Sequence, residues 1–77
     1  MITYGEQHPL YVEGFKAGLQ YSNEFIGSLK GKLMEIQEYA FNAGSQAGAT
    51  YWKGFYDGAF SVYEIELWKI RKGTANG

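Results

Sequence analysis

Glycine placement constrains this chain more than anything else in it. Of its eleven glycines, eight stand in G-x-x-x-G pairs: Gly14/Gly18, Gly27/Gly31, Gly44/Gly48 and Gly54/Gly58. Inside a helix each glycine costs about 0.8–1 kcal/mol relative to alanine, so eight would cost roughly 6–8 kcal/mol, comparable with the whole stability of a small domain. They cannot all be idle helix residues. On an ideal helix Gly14 and Gly18 share a face, whereas Gly27 lies about 140° from Gly14 and must serve a different contact. The spacing assigns Gly14/Gly18 and Gly54/Gly58 to close helix packing and Gly44/Gly48 to a turn. It leaves Gly27/Gly31 open between the two roles.

The two packing pairs belong to a repeat. Tyr11-Val12-Glu13-Gly14-Phe15-Lys16-Ala17-Gly18 and Tyr51-Trp52-Lys53-Gly54-Phe55-Tyr56-Asp57-Gly58 both read Y-x-x-G-F-x-x-G. Duplication and shared packing chemistry both account for it, and in either case the two segments are expected to meet the same kind of surface. In membranes such glycines let helices dimerise, but charges every few residues exclude a membrane setting here. A groove floored by two glycines and walled by Phe15 or Phe55 accepts either a facing helix or a flat ligand. Tyr11, Gly14, Phe15, Gly18, Tyr51, Trp52, Gly54, Phe55, Tyr56, Asp57 and Gly58 therefore form the candidate packing and binding surface. Asp57, the sole aspartate, is the carboxylate within it that a ligand would meet.

Apolar periodicity predicts an all-α fold. Pro9 suits the first position of a helix, where its missing N–H is one that a helix start leaves unpaired. From there Tyr11, Phe15, Gly18, Ser22, Phe25 and Leu29 recur at spacings of three and four. Leu33, Ile36, Ala40, Ala43 and Ala47 keep the same period, so the break falls either at 27–31 or in the small-residue stretch 43–50. Thr50 is positioned to cap the helix that follows. That helix, from Tyr51 to about Arg71, is apolar over most of its circumference: Tyr51, Phe55, Val62 and Ile65 form one stripe, and Tyr56, Phe60, Tyr63, Leu67 and Ile70 a second. Such a helix is central in its fold or shared with another subunit. Lys69, Arg71 and Lys72 complement its dipole, and Gly73 closes it. The expected architecture is one domain over 1–77, with 1–8 and 73–77 flexible, of two or three amphipathic helices in an antiparallel hairpin or bundle completed by oligomerisation.

Composition narrows the function classes. A chain of 77 residues has little core of its own, and with no cysteine and one histidine the remaining remedy is self-association. Seven basic against eight acidic residues give no nucleic-acid footprint. No spanning run and no export signal are present, which places the protein in the cytosol. Glu35 and Glu38 have no histidine nearby in sequence, His8 stands alone, and no phosphate-binding loop is present. Catalysis, cofactors and metals are not expected.

With its Y-x-x-G-F-x-x-G segments at 11–18 and 51–58, the chain resembles in style small accessory and anti-defence proteins of bacteriophages. That resemblance implies a compact protein, in the host cytoplasm, that binds and inhibits or redirects a host complex such as a CRISPR effector. Two alternatives stand beside it. One is a protein that sequesters a nucleotide-like signalling molecule in aromatic, glycine-lined pockets between subunits, and the other is a structural component of a virion or filament.

Overall fold

The structure, a computed structural model, describes residues 3–76, with side chains over 3–70. It is all-helical: α1 spans Pro9–Glu24, a 3-10 turn covers Ile26–Ser28, α2 spans Leu29–Phe41 and α3 spans Gln46–Asn76. Pro9 does open α1, and His8 caps it by accepting the Leu10 N–H on Nδ1 at 3.1 Å. The start of α3 differs from the sequence expectation. Ser45 accepts the Gly48 N–H on its hydroxyl at 3.0 Å and the Ala49 N–H on its carbonyl at 2.9 Å, the pattern of a helix cap. Thr50 lies a full turn inside, donating to the Gln46 carbonyl at 2.7 Å and accepting the Tyr4 N–H at 2.9 Å. This second bond ties the lead to α3. The helix also continues through Gly73, so that glycine does not close it. The side chains of Arg71, Lys72 and the 73–77 tail lie outside the described residues.

The chain breaks in both regions but earlier than expected: at Phe25–Ser28, with Gly31 already inside α2, and at 42–45, with 46–50 already inside α3. Two reversals in a three-helix chain bring the first and last helices side by side in the same direction. Accordingly Gly14 faces Tyr51 and Phe55, whereas Gly18, one turn on, faces Phe55 and Ala59. The α1–α3 pair is parallel, which corrects the antiparallel expectation for these two helices. Helix α2, at 1.5 Å per residue, carries the chain back about 20 Å, nearly the length of α1, so α3 restarts level with the start of α1.

Helix α3 is central. It packs against both others, which scarcely touch each other. From α2, Leu29, Leu33 and Ile36 close onto Phe55 and Ala59 of α3, with Ala17 and Tyr21 of α1 at the margin. At about 46 Å of length, α3 accounts for the longest dimension of the molecule, 47 Å. Since α1 ends at Glu24, the part of α3 beyond about Glu64 runs past it, and there Ile65, Trp68 and Ile70 are exposed.

Candidate functional site

The two repeats meet each other. Residue i of α1 stands opposite residue i+40 of α3, so Tyr11 matches Tyr51, Gly14 matches Gly54, Phe15 matches Phe55 and Gly18 matches Gly58. The contact is reciprocal. A Cβ on Gly14 would collide with the Tyr51 carbonyl oxygen, and one on Gly54 with that of Tyr11; Gly18 stands in the same relation to Phe55, and Gly58 to Phe15. All four glycines are buried. Because a Cβ replaces a Cα hydrogen, each glycine directs that hydrogen at the facing carbonyl oxygen, a contact worth about 0.5–1 kcal/mol. Four such contacts, roughly 2–4 kcal/mol, offset the roughly 3–4 kcal/mol that four helix glycines cost. Only glycine permits this approach, and the groove expected to receive a helix or a flat ligand is filled by the opposing backbone.

The other glycine pairs do not share this role. Gly27 and Gly31 have open space around them, and so does Gly44 in the link before α3. Gly48 sits in the first turn of α3 rather than in the turn itself, close to the Ser45 hydroxyl.

Polar chemistry at the seam is concentrated on one side. The Tyr11 hydroxyl donates to Asp57 across the two helices. The same carboxylate holds the Lys53 ammonium, at 2.9 and 3.0 Å to its two oxygens. Burial first, then the hydrogen bond to Asp57 and the charges of Asp57 and Glu6, raise the Tyr11 phenol above its ordinary value. Through these bonds the phenol and the carboxylate clamp α1 to α3. Among the described residues no group of three His, Asp or Glu side chains comes together to hold a metal.

The opposite side of the seam is aromatic. Trp52 lies 5.1 Å from both the Tyr39 and the Phe55 rings and 5.4 Å from Tyr51, centroid to centroid, and Tyr21 meets Phe55 edge-on at 5.2 Å. Tyr56, which packs against the core, stacks on Phe60 at 5.8 Å one turn along α3. Of the candidate surface, then, Tyr11, Gly14, Phe15, Gly18, Tyr51, Gly54, Phe55 and Gly58 make the helix contact itself, Trp52 and Tyr56 flank the core, and Asp57 closes the polar side.

Outside that seam lies a surface the sequence reading did not single out. On α2, Met34 and Phe41 are 69% and 85% exposed. Phe41 and Gln37 line two shallow depressions. One, of about 620 Å³, includes Met34, Glu35 and Glu38; the other, of about 210 Å³, lies between α2 and α3 and includes Ala40, Ala49 and Lys53. Ligand pockets usually hold about 300–1,000 Å³ between several walls. The larger depression has a single helix for its wall, and the smaller accommodates little more than a side chain. The signal for this surface was present in the periodicity, because Met34 and Phe41 are two turns apart on α2 and out of phase with Leu29, Leu33 and Ile36. No helix among the described residues is long and apolar enough to cross a membrane. No family model, curated protein or solved structure matches the chain.

Proposed function

We propose that this protein is an oligomeric helical interaction protein, working in the cytoplasm as a modulator that binds another protein complex in the manner of phage accessory proteins. One observation carries the reading. Among the described residues eleven large hydrophobic side chains are exposed, against seven hydrophobic residues in the buried core, two of them alanine. Scattered apolar exposure is ordinary, but a small chain that displays more of its large apolar side chains than it hides has a surface suited to burial against something else. The three helices leave that surface on several sides: Phe25 and Ile26 at the first reversal, Met34 and Phe41 on α2, and Ile65 on α3. None of it surrounds an enclosed cavity or a reactive group, which favours protein surfaces over small substrates as partners.

Solution mass by light scattering, with the melting temperature followed over a hundredfold dilution, tests the oligomer. A mass above the monomer and a melting temperature that falls on dilution are expected by mass action. A monomer of unchanged stability would refute it. Tagged protein incubated with bacterial lysate tests the modulator role, and recovery of nothing but the protein itself would count against that role.

A further inference from the structure

We propose that the reversal at Phe25–Ser28 is a hinge: when it straightens, α1 leaves its own α3 and seats its glycine repeat on the α3 of a second copy, so that two chains exchange α1. This rests on the oligomeric reading above and names the contact that holds the dimer together.

The reversal is weakly secured. Phe25 (φ −120°, ψ 32°) and Ser28 (φ −124°, ψ 21°) depart from helical angles, but no residue there has the positive φ that commonly ends a helix. No side chain caps α2. Phe25 already donates its N–H to the Tyr21 carbonyl, the bond a continuing helix makes. The second reversal, by contrast, is held by Ser45 on the first turn of α3. Because α1 and α2 scarcely touch, straightening gives up chiefly the contacts of α1 with α3, and a second copy restores these in the same register of residue i against i+40. Leu29, Leu33 and Ile36 stay in phase with Tyr11 to Phe25, so a straight helix over 9–41 keeps one apolar face along both halves.

The overhang of α3 fits this arrangement. Beyond Leu29 the straightened chain runs outward along the part of its own α3 that extends past Glu64, and there the two α3 helices overlap antiparallel. Phe25 stands level with Ile65 in the repeat register, so a two-fold axis passes near both residues of both chains. Around that level the single chain exposes Phe25, Ile26, Ile65, Trp68 and Ile70. The exchange brings these side chains together and covers them.

Sedimentation of the full chain after refolding over a wide range of concentrations tests the hinge. The wild type should form a dimer. Gly27→Ala, at a site with open space around it, favours the straight helix and should strengthen the dimer by at least about threefold. Inserting Gly-Ser-Gly after Gly27 interrupts that helix and should weaken the dimer by at least about tenfold. Native mass spectrometry of Gly14→Ala and Gly54→Ala chains refolded together, one of them isotopically labelled, separates exchange from simple docking. Exchange gives the mixed dimer one seam free of added methyls and one carrying both, and two methyls in one seam cost less than their sum, so the mixed dimer should exceed its random share of about one half. If the wild type stays monomeric after refolding at every concentration, the oligomeric reading and this inference both fall. If it dimerises but the mixed dimer keeps its random share, or the insertion leaves the dimer as strong as before, the oligomer stands and α1 is not exchanged.

Discussion

Replacing Gly54 with alanine sets two effects of opposite sign against each other. Helix propensity improves by about 0.8–1 kcal/mol. The added methyl, however, would fall on the Tyr11 carbonyl oxygen, 3.0 Å from the carbonyl carbon and 3.1 Å from the Phe15 nitrogen. All three obstacles are backbone atoms, so no side chain can rotate aside and relief requires α1 and α3 to separate. A gap of about 0.5–1 Å forfeits a quarter to a half of the dispersion attraction along the seam. It also lengthens the three remaining glycine contacts. Overpacking of a core costs about 1–3 kcal/mol, and a backbone obstacle belongs in the upper part of that range. After the propensity gain the net loss is about 1–2 kcal/mol, a substantial share of the roughly 4–12 kcal/mol expected for a chain of this length. The melting temperature should fall by about 4–16 °C.

Urea unfolding followed by circular dichroism at one fixed concentration measures this. Gly31→Ala is the control, because it has open space around it and no positive φ, and it should stabilise by up to about 1 kcal/mol. Gly14→Ala combined with Gly54→Ala should cost less than the sum of the two, since the first methyl already holds the helices apart. If Gly54→Ala stabilises the protein as Gly31→Ala does, the helices do not meet at that glycine and the parallel pairing is wrong.

Removing the Tyr11 hydroxyl in Tyr11→Phe should cost about 0.5–1.5 kcal/mol at neutral pH. Because the folded-state phenol titrates above its unfolded value, its contribution is complete below about pH 10 and is lost as pH rises past that point, so the alkaline fall in stability should be shallower in the variant. Ser45→Ala should lower stability by about 0.5–2 kcal/mol by uncapping α3, whereas a helix starting at Tyr51 would leave that change silent. His8→Ala should show a similar loss at the start of α1, and a melting curve identical to wild type would remove His8 from the cap.

Much of this fold is legible in the residues, and what is not legible has a physical cause. Pro9 fixes the start of α1 because proline suits only that end of a helix. The glycine pairs mark the closest approach because nothing else justifies their cost. Direction is a different matter. A period of 3.6 residues fixes the buried face of a helix but is silent on whether its neighbour runs with it or against it, so the parallel pairing waits on the number of reversals. The first reversal is hidden by phase: Leu29, Leu33 and Ile36 continue the period of Tyr11 to Phe25 across the break, and the 3-10 turn at Ile26–Ser28 changes the direction of the chain without interrupting the pattern. Thr50 and Ser45 are both good caps by type, and only the bonds made by each distinguish them.

The two repeats are alike where they touch and unlike where they do not. Parallel pairing of identical segments creates two equivalent grooves, one on each side of the seam, and α2 can lie in only one. In the groove that α2 occupies, α1 contributes Ala17 and Tyr21 while α3 contributes Trp52 and Ala59. Forty residues away in register, the corresponding positions of the other groove are Asp57 and Ser61 on α3 and Val12 and Leu19 on α1. Laying α2 there would place its leucines over a carboxylate that is already bonded to Tyr11 and Lys53, and would strip that carboxylate of water. Two perfect copies of the repeat would specify the pair but leave the third helix a choice of sides. Asp57 removes the choice, because a charged residue in one groove makes the exchanged packing costly while adding a clamp to the packing that forms.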